Sequence, residues 1–155
     1  MTRTLSTIGY AHATQDALIA ALRQANVELL ADIRALPLSR RAGFSKTALK
    51  AAVEEAGMQY RHFKHLGTPK EGRDAARKGD YAILRRVYEG QLELPEGLAQ
   101  MAEIQSLAAG KRVCLLCYCG EAEKCHRSLL IEHVFSDSEI LHLHPSMPIE
   151  ARRAF

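Results

Sequence analysis

Short apolar runs alternate with helix-periodic segments along most of this chain, and that alternation restricts what it can fold into more than any other feature. Thr4 to Tyr10 reads as a strand ending near Gly9, followed by a helix from about Thr14 to Ala25 that Asn26 closes. Val27 to Ile33 is a second strand. Ser45 then caps a helix with apolar residues at Leu49, Ala52, Val53 and Ala56, which Gly57 ends. Met58 to Phe63 is a third, weakly signalled strand. Asp80 to Tyr88 and Pro95 to Ala109 are helices, the second opened by proline and stopped by Gly110. Val113 to Tyr118 is a fourth strand, Arg127 to Val134 its helix, and Glu139 to Leu143 a short fifth strand. The glycine- and charge-rich stretch Gly67 to Gly79 reads as a surface loop or flap beside the sheet.

Strands alternating with helices imply an α/β fold: three layers, a mostly parallel sheet of about five strands with helices on both faces, joined by right-handed crossovers in the Rossmann-like manner. The 155 residues suit one domain over 1–155, with a core from about 4 to 144 and a tail, 145–155, that covers a sheet edge, pairs with a second subunit or stays loose. The apolar fraction of 47% and charged fraction of 25% are those of a soluble globular protein. No apolar run approaches the roughly 18 to 20 residues of a membrane span, and no signal-peptide pattern opens the chain. Its four cysteines crowd between Val113 and Arg127, too close for a long-range disulfide framework, so a reducing, cytoplasmic setting is expected.

In a parallel sheet the carboxyl ends of the strands share one rim, where ligands bind. The residues following the strands are Gly9, Tyr10 and His12; Asp32, Arg34 and Arg40; His62 and His65; Cys117, Cys119, His126 and Arg127; and His144. Polar and titratable residues at so many strand ends exceed what a scaffold needs. Arg34, Arg40 and Arg127 offer forked donors for carboxylate or phosphate groups, and with Gly9, His12 and Asp32 they form the candidate ligand-binding set for an anionic small molecule or nucleotide. For Arg41 a solvated or acid-paired surface role is the simpler reading.

The cysteine segment VCLLCYCGEAEKCHR supplies the candidate reactive groups. Cys125 falls at or just before the start of a helix beside cationic residues, where a thiol pKa drops below about 8.5. Cys125, Cys117 and His126 are therefore the candidate catalytic residues, with a reservation on His126: neighbours in sequence usually point apart, so it need not be the base for Cys125. Strand alternation places Cys117 and Cys119 on one face and Cys114 on the other, where Cys114 packs as a small hydrophobe. Cys117, Cys119, Cys125 and His126 can converge, and the soft sulfurs of Cys117, Cys119 and Cys125 suit zinc or another thiophilic metal, although C-x-C-x5-C-H lacks paired zinc knuckles. A cysteine-phosphatase loop is absent, because the fifth spacer residue after Cys119 leads to Cys125 rather than to arginine.

Taken in order, Thr7-Ile8-Gly9, Asp32-Ile33-Arg34 with Pro37 and Ser39, Tyr60 with Leu66-Gly67, and Leu115-Leu116-Cys117 with Cys125-His126-Arg127 resemble the domain-of-unknown-function 488 family, from about Leu5 to Val134. The resemblance implies a fold and a motif set without an established reaction. Where such relatives usually carry glutamate two residues after the strand cysteine, this chain has Cys119. Three functions fit these residues: an enzyme using a cysteine thiolate on an anionic substrate, a non-catalytic metal- or nucleic-acid-binding module, and a thiol redox sensor. The nucleic-acid reading rests on basic segments interleaved with Phe44, Tyr60, Phe63, Tyr81 and Tyr88, since the net charge of +3 is too small to argue it alone.

Overall fold

The computed structural model describes residues 4–119, 121 and 124–145. Gly120 and the tail beyond Pro145 lie outside them. Five strands form one parallel sheet: β1 (Thr4–Gly9), β2 (Leu29–Asp32), β3 (Gln59–His62), β4 (Val113–Cys117) and β5 (Glu139–Leu143), in the spatial order β3-β2-β4-β1-β5. Six α-helices among the described residues connect them: α1 (Gln15–Gln24), α2 (Lys46–Glu55), α3 (Lys70–Lys78), α4 (Tyr81–Leu92), α5 (Pro95–Gly110) and α6 (His126–Val134). None of the described helices is long and apolar enough to cross a membrane.

Local chemistry sets the element ends. The Thr14 hydroxyl accepts from the Ala17 amide at the start of α1, and the Asp80 carboxylate from the Ile83 amide at the start of α4. Asn26 takes a left-handed conformation after α1, at φ 57°. Ser45 sits at the N-cap of α2, but its hydroxyl is hydrogen-bonded with Ser39 instead of the helix amides, so it ties the β2–α2 loop to the helix. The stretch from 67 to 79 departs from the expected loop: Lys70–Lys78 is helical and ends at left-handed Gly79. Only Gly72 and Ala75 of that helix are buried, too little apolar signal to reveal a helix by periodicity.

The two faces of the sheet carry separate cores. One contains Ile8, Leu30, Cys114 and Leu116 packed under Leu18 and Leu22 of α1 and Leu49 and Val53 of α2. The other contains Ala31, Val113, Leu115 and Cys117 under residues of α3 to α6, including Leu84, Tyr88, Ile104, Leu129 and Leu130. The chain leaves β1 toward β2 through α1 on the first face and leaves β4 toward β5 through α6 on the second. Neighbouring strands β1 and β4 thus send their helices to opposite faces, which opens a topological switch point between their carboxyl ends.

Candidate functional site

The cysteine cluster lies at that switch point. Past β4 the chain stays tied to the end of β1, the Ala11 amide donating to the Tyr118 carbonyl at 2.9 Å. Gly9 permits this approach: a Cβ there would lie 1.7 Å from the Cys119 carbonyl oxygen. Cys117 ends β4, Cys119 follows two residues on, and Cys125 is the N-cap of α6. The sulfurs of Cys117, Cys119 and Cys125 all lie within 4.8 Å of one another, and Cys117 Sγ is 2.7 Å from Cys125 Sγ. Cys114 faces the opposite core, where burial pushes its thiol up to about 12.

His126 joins the cluster. Its Nδ1 is 3.6 Å from Cys125 Sγ, and its Nε2 is 2.8 Å from the carbonyl oxygen of Ile33, past the end of β2. A carbonyl only accepts, so Nε2 carries the proton and Nδ1 presents a lone pair toward the sulfur. Burial also lowers the His126 pKa, which favours this neutral tautomer. The ring packs edge-on against buried Tyr88, whose hydroxyl donates to the Leu66 carbonyl at 2.8 Å. The general tendency of adjacent side chains to diverge fails at this position for a local reason. Cys125 is extended, with φ −132° and ψ 154°, while His126 begins the helix, and the change of backbone conformation lets both side chains face one pocket.

The electrostatics turn on Arg127, which is 1% exposed. Its Nη1 donates to Thr7 Oγ1 at 3.0 Å and its Nη2 to the Cys119 carbonyl at 2.7 Å. Both partners are neutral, and among the described residues Arg127 makes no ion pair with a carboxylate. A buried cation needs a counter-charge, and among the described residues the sulfurs are the groups placed to supply it. Cys125 is the member that ionises. Burial pushes its thiol up, but hydrogen bonds from Cys117 and Cys119, the Arg127 guanidinium and the Arg127 backbone amide outweigh burial and hold it well below the ordinary thiol value. Burial holds Cys117 well above that value. The Cys117 hydrogen bond draws Cys119 down, yet its hydrogen bond with Cys125 together with burial takes it to about 11. The cluster is therefore one thiolate solvated by two thiols.

The other arginine of the family motif is satisfied differently. Arg34 Nε and Nη2 donate to the two carboxylate oxygens of fully buried Asp32 at 2.8 and 2.7 Å, and Nη1 to the Tyr10 hydroxyl at 3.1 Å and the Phe44 carbonyl at 2.6 Å. Asp32 also accepts from the Tyr60 hydroxyl. This network pins the loop after β2 against the end of β1. Of the expected anion-binding set, Gly9, Asp32, Arg34 and Arg127 are thus buried and engaged within the protein, whereas His12 and Arg40 are exposed on the loops after β1 and β2. Arg41, read as a surface residue, is half-buried and donates to the Ala13 carbonyl. His62 donates through Nε2 to the Arg34 carbonyl at 2.7 Å, and His65 is tied through its backbone amide to Gln100. Phe44, Tyr60, Phe63 and Tyr88 are buried, leaving Tyr81 as the exposed member of the aromatic set.

The chain belongs to the family described as domain of unknown function DUF488, whose model matches residues 14–134. No curated protein and no solved structure matches it.

Proposed function

We propose that this site is a thiol redox centre in which the Cys125 thiolate reacts with a small oxidant and Cys117 closes a reversible disulfide onto it. The observation that carries the reading is the 2.7 Å approach of the two sulfurs, with Cys125 held as thiolate and Cys117 as thiol. Size favours a small reagent: Cys125 is 2% exposed and Cys117 1%, which suits a hydroperoxide better than a nucleotide or phosphate ester. In the first step the thiolate attacks the peroxide O–O bond; sulfur gains the hydroxyl as a sulfenic acid, and the departing alkoxide takes a proton and leaves as the alcohol. In the second, the Cys117 sulfur attacks Cys125, the S–S bond forms, and the sulfenic oxygen leaves with the Cys117 proton as water. Sulfur supplies the two electrons and the peroxide receives them. His126 Nδ1 accepts the Cys125 proton where the thiol must first ionise.

Mild peroxide treatment of the reduced protein, followed by peptide mass spectrometry, tests this. The expected product is a Cys117–Cys125 crosslinked peptide lacking two hydrogens and restored by dithiothreitol, with Cys117→Ser trapping a sulfenic acid at Cys125. Recovery of only unmodified or irreversibly oxidised thiols would sink the proposal.

A second reading is a Cys125 nucleophile acting on an anionic substrate. Arg127 Nε favours it, being buried without a hydrogen-bond partner among the described residues, as do exposed Arg40 and His12 on the rim loops. It predicts that a phosphate-bearing ligand stabilises the parent and that Arg40→Ala weakens that ligand. Equal melting temperatures with and without a panel of such ligands would count against it.

A further inference from the structure

The two sulfurs of the redox pair and that of Cys119 are arranged as a set of soft metal ligands, and His126 Nδ1 stands beside one of them, Cys125 Sγ. In a tetrahedral zinc site with Zn–S near 2.3 Å and Zn–N near 2.0–2.1 Å, a sulfur and a nitrogen ligand stand about 3.6 Å apart and two sulfurs about 3.8 Å apart. Cys125 Sγ and His126 Nδ1 are already 3.6 Å apart, and the three sulfurs lie within 4.8 Å of one another. The Cys117–Cys125 pair, at 2.7 Å, must open by about 1 Å. The tautomer is set as well: Nε2–H donates to the Ile33 carbonyl, the arrangement by which a protein fixes a metal-binding imidazole through its other nitrogen.

We infer that the reduced protein binds one zinc ion, or another thiophilic divalent cation, through the sulfurs of Cys117, Cys119 and Cys125 and Nδ1 of His126. A set of three sulfurs and one imidazole nitrogen is a closed, four-coordinate donor set of the structural type. Cys119 gains a purpose in this reading. It adds a third sulfur within reach of the Cys117–Cys125 pair and is half-buried, at the outer side of the cluster. The inference rests on the thiol cluster of the redox reading, and the two are linked: a cation held by Cys117 and Cys125 must leave when those residues form a disulfide.

Cobalt(II) titration of the full, untagged chain, reduced and stripped of metal, tests it, because tetrahedral cobalt–thiolate sites report geometry and sulfur ligation in their visible and near-ultraviolet absorption. The expected result is saturation at about one cobalt per chain with a tetrahedral spectrum, displaced by zinc. Cys119→Ser and His126→Ala each weaken binding at least about tenfold, a ligand-loss effect. Cys114→Ser, on the opposite face of the sheet, leaves it unchanged. Circular dichroism of each variant confirms that a loss of binding is not a loss of fold. Octahedral cobalt, or a tetrahedral spectrum indifferent to both Cys119→Ser and His126→Ala, overturns the inference. Peroxide treatment separates it from the redox reading. A chain that forms the Cys117–Cys125 disulfide yet never binds cobalt refutes the metal site alone, and one that binds cobalt but forms no disulfide refutes the redox centre alone.

Discussion

Gly9→Ala probes the close approach on which the site is built. The added methyl would sit 1.7 Å from the Cys119 oxygen and 2.6 Å from its carbonyl carbon, both backbone atoms that no rotamer change can move. Reaching a tolerable contact of about 3.0 Å requires the chain past β4 to retreat by more than 1 Å. That carbonyl is also the acceptor, at 2.7 Å, for Arg127 Nη2. Overpacking of this kind costs about 1–3 kcal/mol, and weakening a hydrogen bond from a buried charged donor costs about 1.5–3 kcal/mol. The combined loss, after partial relaxation, is about 3 kcal/mol, a large share of a typical folding free energy and worth a fall of roughly 6–12 °C in Tm for a chain of this size. Urea unfolding of parent and variant measures it. The chemistry moves with the fold: once Arg127 loses its anchor, its charge no longer bears as closely on Cys125, and the thiolate pKa rises toward the ordinary thiol value. A pH titration of thiolate ultraviolet absorbance reads that shift. A Gly9→Ala protein within about 0.5 kcal/mol of the parent, with the same thiolate midpoint, would refute the argument that the approach of these two loops organises the cluster.

Gly90→Ala is the opposite case: no atom outside its own helical turn lies within 4 Å of the added carbon in α4, so the variant should be more stable by about 0.5–1 kcal/mol in the same urea assay. Arg34→Met leaves Asp32 fully buried without its cation and should cost about 3–5 kcal/mol, while the double change Asp32→Leu, Arg34→Met should recover part of that loss; a double-mutant cycle measures the coupling. For the reduced, metal-free protein, the lowered pKa of His126 means that the unfolded chain takes up a proton near pH 6.5 and the folded chain only at lower pH. The stability due to neutral His126 is thus present above about pH 6.5 and is lost as pH falls toward the folded-state value; His126→Gln should flatten that part of the stability curve, and an unchanged slope would contradict the assignment.

The fold was readable because its signals are redundant. Each of the five strands is a run of four to six residues fixed in place by punctuation that serves a backbone purpose, such as Asn26 after α1 and Gly57 after α2, both at positive φ. The helix Lys70–Lys78 escaped because it packs through Gly72 and Ala75, side chains too small to leave a hydrophobic period, and only the Pro69 and Gly79 flanks mark it. The face assignments of Cys114 and Cys117 followed from strand alternation alone, which is strict at a period of two.

The roles of the arginines could not be read the same way, because a sequence shows a charge but not what lies opposite it. Arg34 is two residues from Asp32, and that spacing brings the guanidinium back onto the carboxylate at the strand end. Arg127 has no such neighbour in sequence; its partner Thr7 is 120 positions away. The structural fact that matters most for the chemistry is a lack on Arg127's own surroundings: a buried guanidinium whose described hydrogen-bond partners are neutral. Among the described residues the counter-charge for it comes from the cysteines, and only one of three close thiols can ionise without repelling another. Burial that would ordinarily keep a cysteine neutral here sharpens the choice of which one ionises. A buried cation selects the thiolate, and the place of Cys125 at the start of α6, with the Cys117 and Cys119 thiols against its sulfur, decides that Cys125 holds the charge.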